Sequence, residues 1–248
     1  MAHKPFIIWT MQRTGGTNFT KNLISLSGLV AHHEPFNRPR IYGELTKSWM
    51  KDKDNSKLHD AVGRILDKPQ IIKHCVEMTP WRISAVLAEE SAKRGYNALF
   101  LTRESSAQRL LSMEYAQRTK VWGPSHEKPK SEDDPAFIQP LDVDALLLHE
   151  EKGIKRLNDF WSMLKKSNVG IDSISFEKLY DCSAEQAAQN VSSVLRLLFP
   201  ENPEFSAEDL VDQLRGGGNQ ETRDRYSRFV GIDELKERTS ELPAYEFD

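Results

Sequence analysis

The chain has 248 residues, 38% hydrophobic and 29% charged, which suits one globular domain with enough apolar side chains to close a core. A formal net charge of −3 provides no overall basic field for nucleic acid or a membrane surface, so any anion site has to be local. The apolar runs fall far short of the ~20 residues of a membrane-spanning helix, and the N-terminus MAHKPFIIWT lacks a long apolar stretch; a protein with no integral membrane segment, placed in the cytoplasm, is expected.

Residues 5–10, rich in isoleucine and aromatics, predict a buried first strand. Residues 17–29 follow as a helix with Phe19, Leu23 and Leu26 on one side and Gly28 near its end. Residues 41–67 read as helical with a polar interruption at 51–56, and a short strand over 70–75 comes after Pro69. An amphipathic helix over 83–94 stops at Gly95. NALFLT (97–102) is a third strand, 105–119 a helix carrying Leu110, Leu111 and Met113, and 142–168 mostly helix. IDSISF (171–176) is a fourth strand and 185–199 a further helix. Strands separated by helices imply an α/β fold: a single domain over 1–248, three layers, a central parallel sheet flanked by helices. Residues 121–141, with four prolines and a charge cluster, depart from this order; a loop of that length is an active-site cover or a solvated excursion. Cys75 and Cys182 form no CxxC or Cys/His metal spacing and read as reduced thiols, with no metal site expected.

The stretch IIWTMQRTGGTNFTKNL (7–23) carries the chemistry. In a parallel sheet ligands collect beyond the carboxyl ends of the strands, and the turn after the first strand lies there. Gly15 and Gly16 let backbone N–H groups approach an anion, and the helix beginning near Thr17 adds its positive end. Thr14, Thr17 and Asn18 are further donors, and Arg13 supplies a permanent charge with a planar fork of N–H groups. The nucleoside-triphosphate form of this P-loop-like turn, GxxxxGK[ST], is absent, as is GxGxxG; the cation precedes the glycines instead of following them. A strand-to-helix turn with glycine for geometry alone is the plain alternative.

QRTGGTNF (12–19) resembles the 5′-phosphosulfate loop of sulfotransferases that use 3′-phosphoadenosine 5′-phosphosulfate (PAPS), whose pattern runs Pro-(Lys/Arg)-Ser-Gly-(Thr/Ser)-Thr. LFLTRESSAQRLLS (99–112) resembles that family's 3′-phosphate segment, a strand ending in an arginine with a serine on the next helix; here these are Arg103 and Ser112. ISFEKL (174–179) resembles a later strand commonly ending Tyr-Glu-x-Leu, and HEPF (33–36) a Glu-Pro element near the acceptor. Gln12, Thr14, Gly16 and Phe176 depart from the common proline, serine, hydroxyl residue and tyrosine, and none of these changes removes a charge.

The resemblance implies transfer of a sulfuryl group from PAPS to a hydroxyl or amine, leaving 3′-phosphoadenosine 5′-phosphate (PAP), with no metal. Arg13 would act electrostatically on the oxygen that gathers charge. Gly15, Gly16, Thr17 and Asn18 would hold the 5′-phosphate, Arg103 and Ser112 the 3′-phosphate, and Arg215 of LRGGGNQETR (214–223) loosely matches a basic segment that closes over the donor. Glu34 is the first candidate for a base, His74 the second, and His32 or His33 the third. Trp9, Phe36, Trp49, Trp81 and Trp122 are available for stacking or as core. The acceptor would be a small molecule, glycan or lipid; no motif specifies it or an oligomeric state. The rival expectations are a P-loop kinase or NTPase with a degenerate loop, and a sulfotransferase-like domain that binds a nucleotide without turnover.

Overall fold

Strand β1 (Phe6–Thr10) is buried along its whole length, as expected for an apolar run covered on both faces. It is the centre of a five-stranded, all-parallel sheet in the order β2-β3-β1-β4-β5, with β2 Ala31–His33, β3 Ile71–Cys75, β4 Asn97–Thr102 and β5 Ile171–Ser175. The computed structural model describes residues 4–122, 135–200, 206–216 and 226–247.

Alternation along β1 divides the core into two layers. Phe6 and Ile8 pack with Phe19 and Leu23 of α1 (Gly16–Ser27), Val191 and Val194 of α9 (Ala184–Leu198) and Leu210 of α10 (Ala207–Gly216). Ile7 and Trp9 face the other way, onto α3 (Asn55–Leu66), α4 (Trp81–Lys93) and α7 (Val143–Lys165). The fold is therefore α/β with helices on both faces of a parallel sheet. A third apolar cluster joins α5 (Ser106–Thr119), α6 (Pro135–Ile138), α7 and α11 (Ile232–Arg238) at one side. Leu45 and Trp49 of α2 (Gly43–Asp52) pack on the Trp9 layer, and Leu179 of α8 (Phe176–Tyr180) on the Phe6 layer.

Local chemistry sets the boundaries. Gly28 ends α1 in the left-handed conformation (φ 64°), and Asp54 caps α3 by accepting from Lys57 N, so the interruption expected at 51–56 narrows to two residues between helices. Phe176, read as the end of a strand, instead opens α8, because Ser175 Oγ accepts from Lys178 N and caps a new helix. Strand β2 was not expected: three half-buried residues at the sheet edge carry no readable period. Most of the proline-rich stretch 121–141, its residues 123–134, lies outside the described residues, as do residues 217–223 of the glycine segment.

Candidate active site

Each strand delivers something to the carboxyl edge of the sheet. Glu34 follows β2, Lys73 lies near the end of β3, the glycine turn follows β1, Arg103 follows β4, and Phe176 and Glu177 follow β5.

The turn is braced from inside. Thr10 Oγ1 donates to the Leu101 carbonyl at 2.6 Å, tying β1 to β4, and lies 2.6 Å from Thr14 Oγ1, which also reaches the Met11 carbonyl at 3.0 Å. Thr14, expected as an anion donor, is buried and gives its hydroxyl to the turn itself. Gly15 is left-handed (φ 77°), and a Cβ there would stand 3.0 Å from Phe176 Cδ2. It begins α1 without a side-chain cap, and the first turn holds no acidic residue. The N–H groups of Gly16, Thr17 and Asn18 have no intrahelical acceptor, so they and the helix dipole present positive charge at this end. Asn18 directs its amide to the Leu214 carbonyl (2.8 Å) and Tyr180 Oη (3.3 Å), linking α1 to α10 and α8, while the Thr17 side chain is exposed.

Three cations surround this helix end. Arg13 Nε donates to Ser112 Oγ at 2.8 Å and Nη1 to the Trp122 carbonyl at 3.0 Å. Burial lowers the Arg13 pKa, and Tyr226 opposes that by charge and hydrogen bond. Arg103, buried, donates to the Arg13 carbonyl at 3.2 Å, lies 4.4 Å over the Phe176 ring and has Glu177 at 3.9 Å. The two sequence-distant segments, Arg13 and Arg103–Ser112, thus meet. The third cation, Lys73, comes from β3: its Nζ lies 2.8 Å from Glu34 Oε1 and 3.2 Å from Thr17 Oγ1. A Cβ on Gly16 would stand 3.2 Å from Lys73 Cε, so glycine there leaves the lysine its path. The turn has no lysine of its own, yet a lysine reaches it through the fold. One signal was available in IIKHC: a lysine within a strand buried on both faces requires a partner.

The candidate bases separate. Glu34, directly after β2, sits at φ 52°, in the left-handed region like Arg13 at φ 66°. Burial raises the Glu34 pKa, but the Lys73 charge and hydrogen bonds from Lys73 and Cys75 outweigh it and hold the carboxyl below its ordinary value. Lys73 loses hydration by burial, which lowers its pKa, and the Glu34 carboxylate helps restore it above the usual lysine value. Burial pushes the Cys75 thiol well up, so it is a donor, reaching Glu34 Oε1 at 3.3 Å. His33 pairs in register with Lys73 and is kept neutral by burial and by that lysine. His32 turns to the Tyr42 ring (5.7 Å between centroids). His74 faces the opposite layer: its ring packs edge-on against Trp9, Nε2 lies 2.8 Å from Ser84 Oγ, and burial drives its pKa down to about 4. The structure therefore brings Glu34 and His33 to the lysine and turns His74 into the core.

Arg215 donates to the carbonyls of Leu179 (2.9 Å), Cys182 (2.9 Å) and Ser183 (3.3 Å), fastening α10 to α8 and the loop that follows it. Of the tryptophans, Trp9 is core and Trp122 is half exposed beside Arg13. Among the described residues no group of three or more His, Cys, Asp or Glu could hold a metal ion, and no helix is long and apolar enough to cross a membrane. No family model and no curated protein sequence matches the chain.

Proposed function

We propose that this protein is a PAPS-dependent sulfotransferase of the cytoplasm, acting on a hydroxyl or amine of a small-molecule, glycan or lipid acceptor. The observation that carries this reading is the meeting of Arg13, Arg103 and Ser112, drawn from segments 90 residues apart, beside an uncapped helix N-terminus. A donor with phosphate groups at two ends needs positive charge for both, and Lys73 on the Thr17 side of the turn adds to the Arg13–Arg103 pair. The N–H groups at the uncapped start of α1 fit a phosphate held close to the backbone.

In this role the amides of Gly16, Thr17 and Asn18 with Arg13 hold the 5′ end, and Arg103 with Ser112 holds the 3′-phosphate. PAPS supplies the sulfuryl group. Arg13 and Lys73 provide fixed positive charge beside the turn, where the leaving phosphate gathers negative charge. Glu34 takes the acceptor proton. Lys73 stands between the two tasks, bonded to Glu34 on one side and Thr17 on the other. An anion on the turn competes for that ammonium, and loosening its hold raises the basicity of Glu34 when the site is loaded.

Thermal melts test this reading against its rivals. A ligand that binds only the folded chain raises Tm with concentration. PAP without metal is expected to stabilise the protein more than ATP with Mg²⁺; the opposite ranking favours a kinase. Stabilisation by PAP with no sulfate transfer to any acceptor in a cell extract favours a binding domain without turnover.

A further inference from the structure

Gln12, the residue before Arg13, is held on both sides by buried ionic groups. Its N–H donates to Glu77 Oε1 at 2.9 Å, and its carbonyl accepts from Arg109 Nη1 at 3.0 Å. Glu77 and Arg109 also face each other, 3.6 Å between Oε2 and Nη1. Arg109 belongs to α5 and is wholly buried. Its Nε donates to Glu150 Oε2 of α7 at 2.7 Å, and its Nη2 bonds the same oxygen. Glu150 is likewise wholly buried.

A guanidinium removed from water and matched to carboxylates adds little net stability over an apolar replacement. What it adds is direction. Ser112, three residues on along α5, lies on the same helix face and bonds Arg13 Nε. One face of α5 therefore fixes the backbone of residue 12 and the side chain of residue 13. Between these two anchors Arg13 adopts φ 66°, a conformation that a side-chain-bearing residue keeps only when its neighbours impose it.

We propose that Arg109 is a positioning residue of the anion site: with Glu77 it clamps the Gln12 peptide groups, and so holds Arg13 in the left-handed conformation that aims its guanidinium at Ser112. The consequence for sulfuryl transfer rests on the sulfotransferase reading; the clamp on the turn does not.

The test compares Arg109→Met/Glu150→Met, which removes both members of the buried pair, with the wild type and with Glu150→Gln, which leaves the clamp in place. Tm, hydrogen exchange across residues 9–18, and calorimetric binding of PAP without metal are measured on each. In the double variant exchange in the turn is expected to rise at least about tenfold, the worth of one hydrogen bond to a charged group, while exchange in β3 and α7 stays at the wild-type level. PAP binding weakens in parallel, and Glu150→Gln retains both. Wild-type protection of the turn in a folded double variant overturns the proposal. So does an equal rise throughout the core, which assigns Arg109 to the fold as a whole. If the double variant does not fold, Arg109→Lys decides: it can pair with Glu150 but lacks the fork that also reaches Gln12, so an unchanged turn refutes the clamp. Failure of the wild type to bind PAP counts against the sulfotransferase reading, while the exchange pattern still decides the clamp.

Discussion

Lys73→Met isolates the cation that the fold brings to the turn. Methionine keeps most of the apolar length that lies beside Gly16 and removes the charge together with its hydrogen bonds to Glu34 and Thr17. The pair it breaks is mostly buried, with side-chain exposures of 7% for Lys73 and 16% for Glu34. Removing one partner of a buried pair costs ~3–5 kcal/mol because the other charge is stranded. Glu34 keeps the Cys75 hydrogen bond, Arg40 nearby and some water, which places the cost at neutral pH near ~2–3 kcal/mol. At this chain length that is a fall in Tm of roughly 4–12 °C. The sign of the pH dependence follows from the direction of each shift. In the wild type the Glu34 pKa is lowered, so its stabilisation is present above the ordinary carboxylate pKa and is lost as pH falls through the folded value. In the variant burial is opposed only weakly, the Glu34 pKa rises, and the folded state gains protons more readily. The gap in Tm between the two proteins is therefore widest near pH 7 and narrows toward pH 4. Calorimetric melts across that range measure it. A gap that is absent, or the same at every pH, refutes the account of this pair.

Gly15→Ala is expected to destabilise by about 2 kcal/mol, because a left-handed alanine is disfavoured and its Cβ meets Phe176 at 3.0 Å. Gly28→Ala, equally left-handed (φ 64°) but with nothing within 4 Å, should cost less; denaturant midpoints giving the reverse order contradict the close packing of the turn. His74, neutral in the core with a pKa near 4, makes the wild type lose ~3 kcal/mol as pH falls from about 6.5 toward 4, since the unfolded chain takes up the proton first. His74→Gln should lack that slope, and parallel pH–stability curves for the two proteins would remove the assignment. Arg103→Ala should abolish any preference for PAP over adenosine 5′-phosphate in calorimetric titrations; retained discrimination takes Arg103 out of the 3′-phosphate site.

The sheet was legible where a strand is buried on both faces. FIIWT and NALFLT announce themselves by their largely apolar character, and β4 runs over the expected 97–102. The strand-to-helix turn itself was legible, because two glycines after such a strand mark a tight turn into a helix, and α1 begins at Gly16. What escaped was long-range pairing. Lys73 passes for a charge beside His74 until the sheet register sets it against Glu34 and Thr17. Glu77, Arg109 and Glu150 come from three separate segments, and no local pattern announces a buried ionic group. His74 misleads for a related reason: adjacent strand residues face opposite layers, so the histidine next to Lys73 points into the core. Thr14 shows the limit of counting donors, since a hydroxyl in a glycine turn can be consumed by the turn.

The most direct measurement is a crystal structure of the protein grown with PAP. The account predicts the 5′-phosphate at the amides of Gly16, Thr17 and Asn18 within reach of Arg13, and the 3′-phosphate on Arg103 and Ser112. Nucleotide bound away from both arginines, or turned end for end, would contradict it.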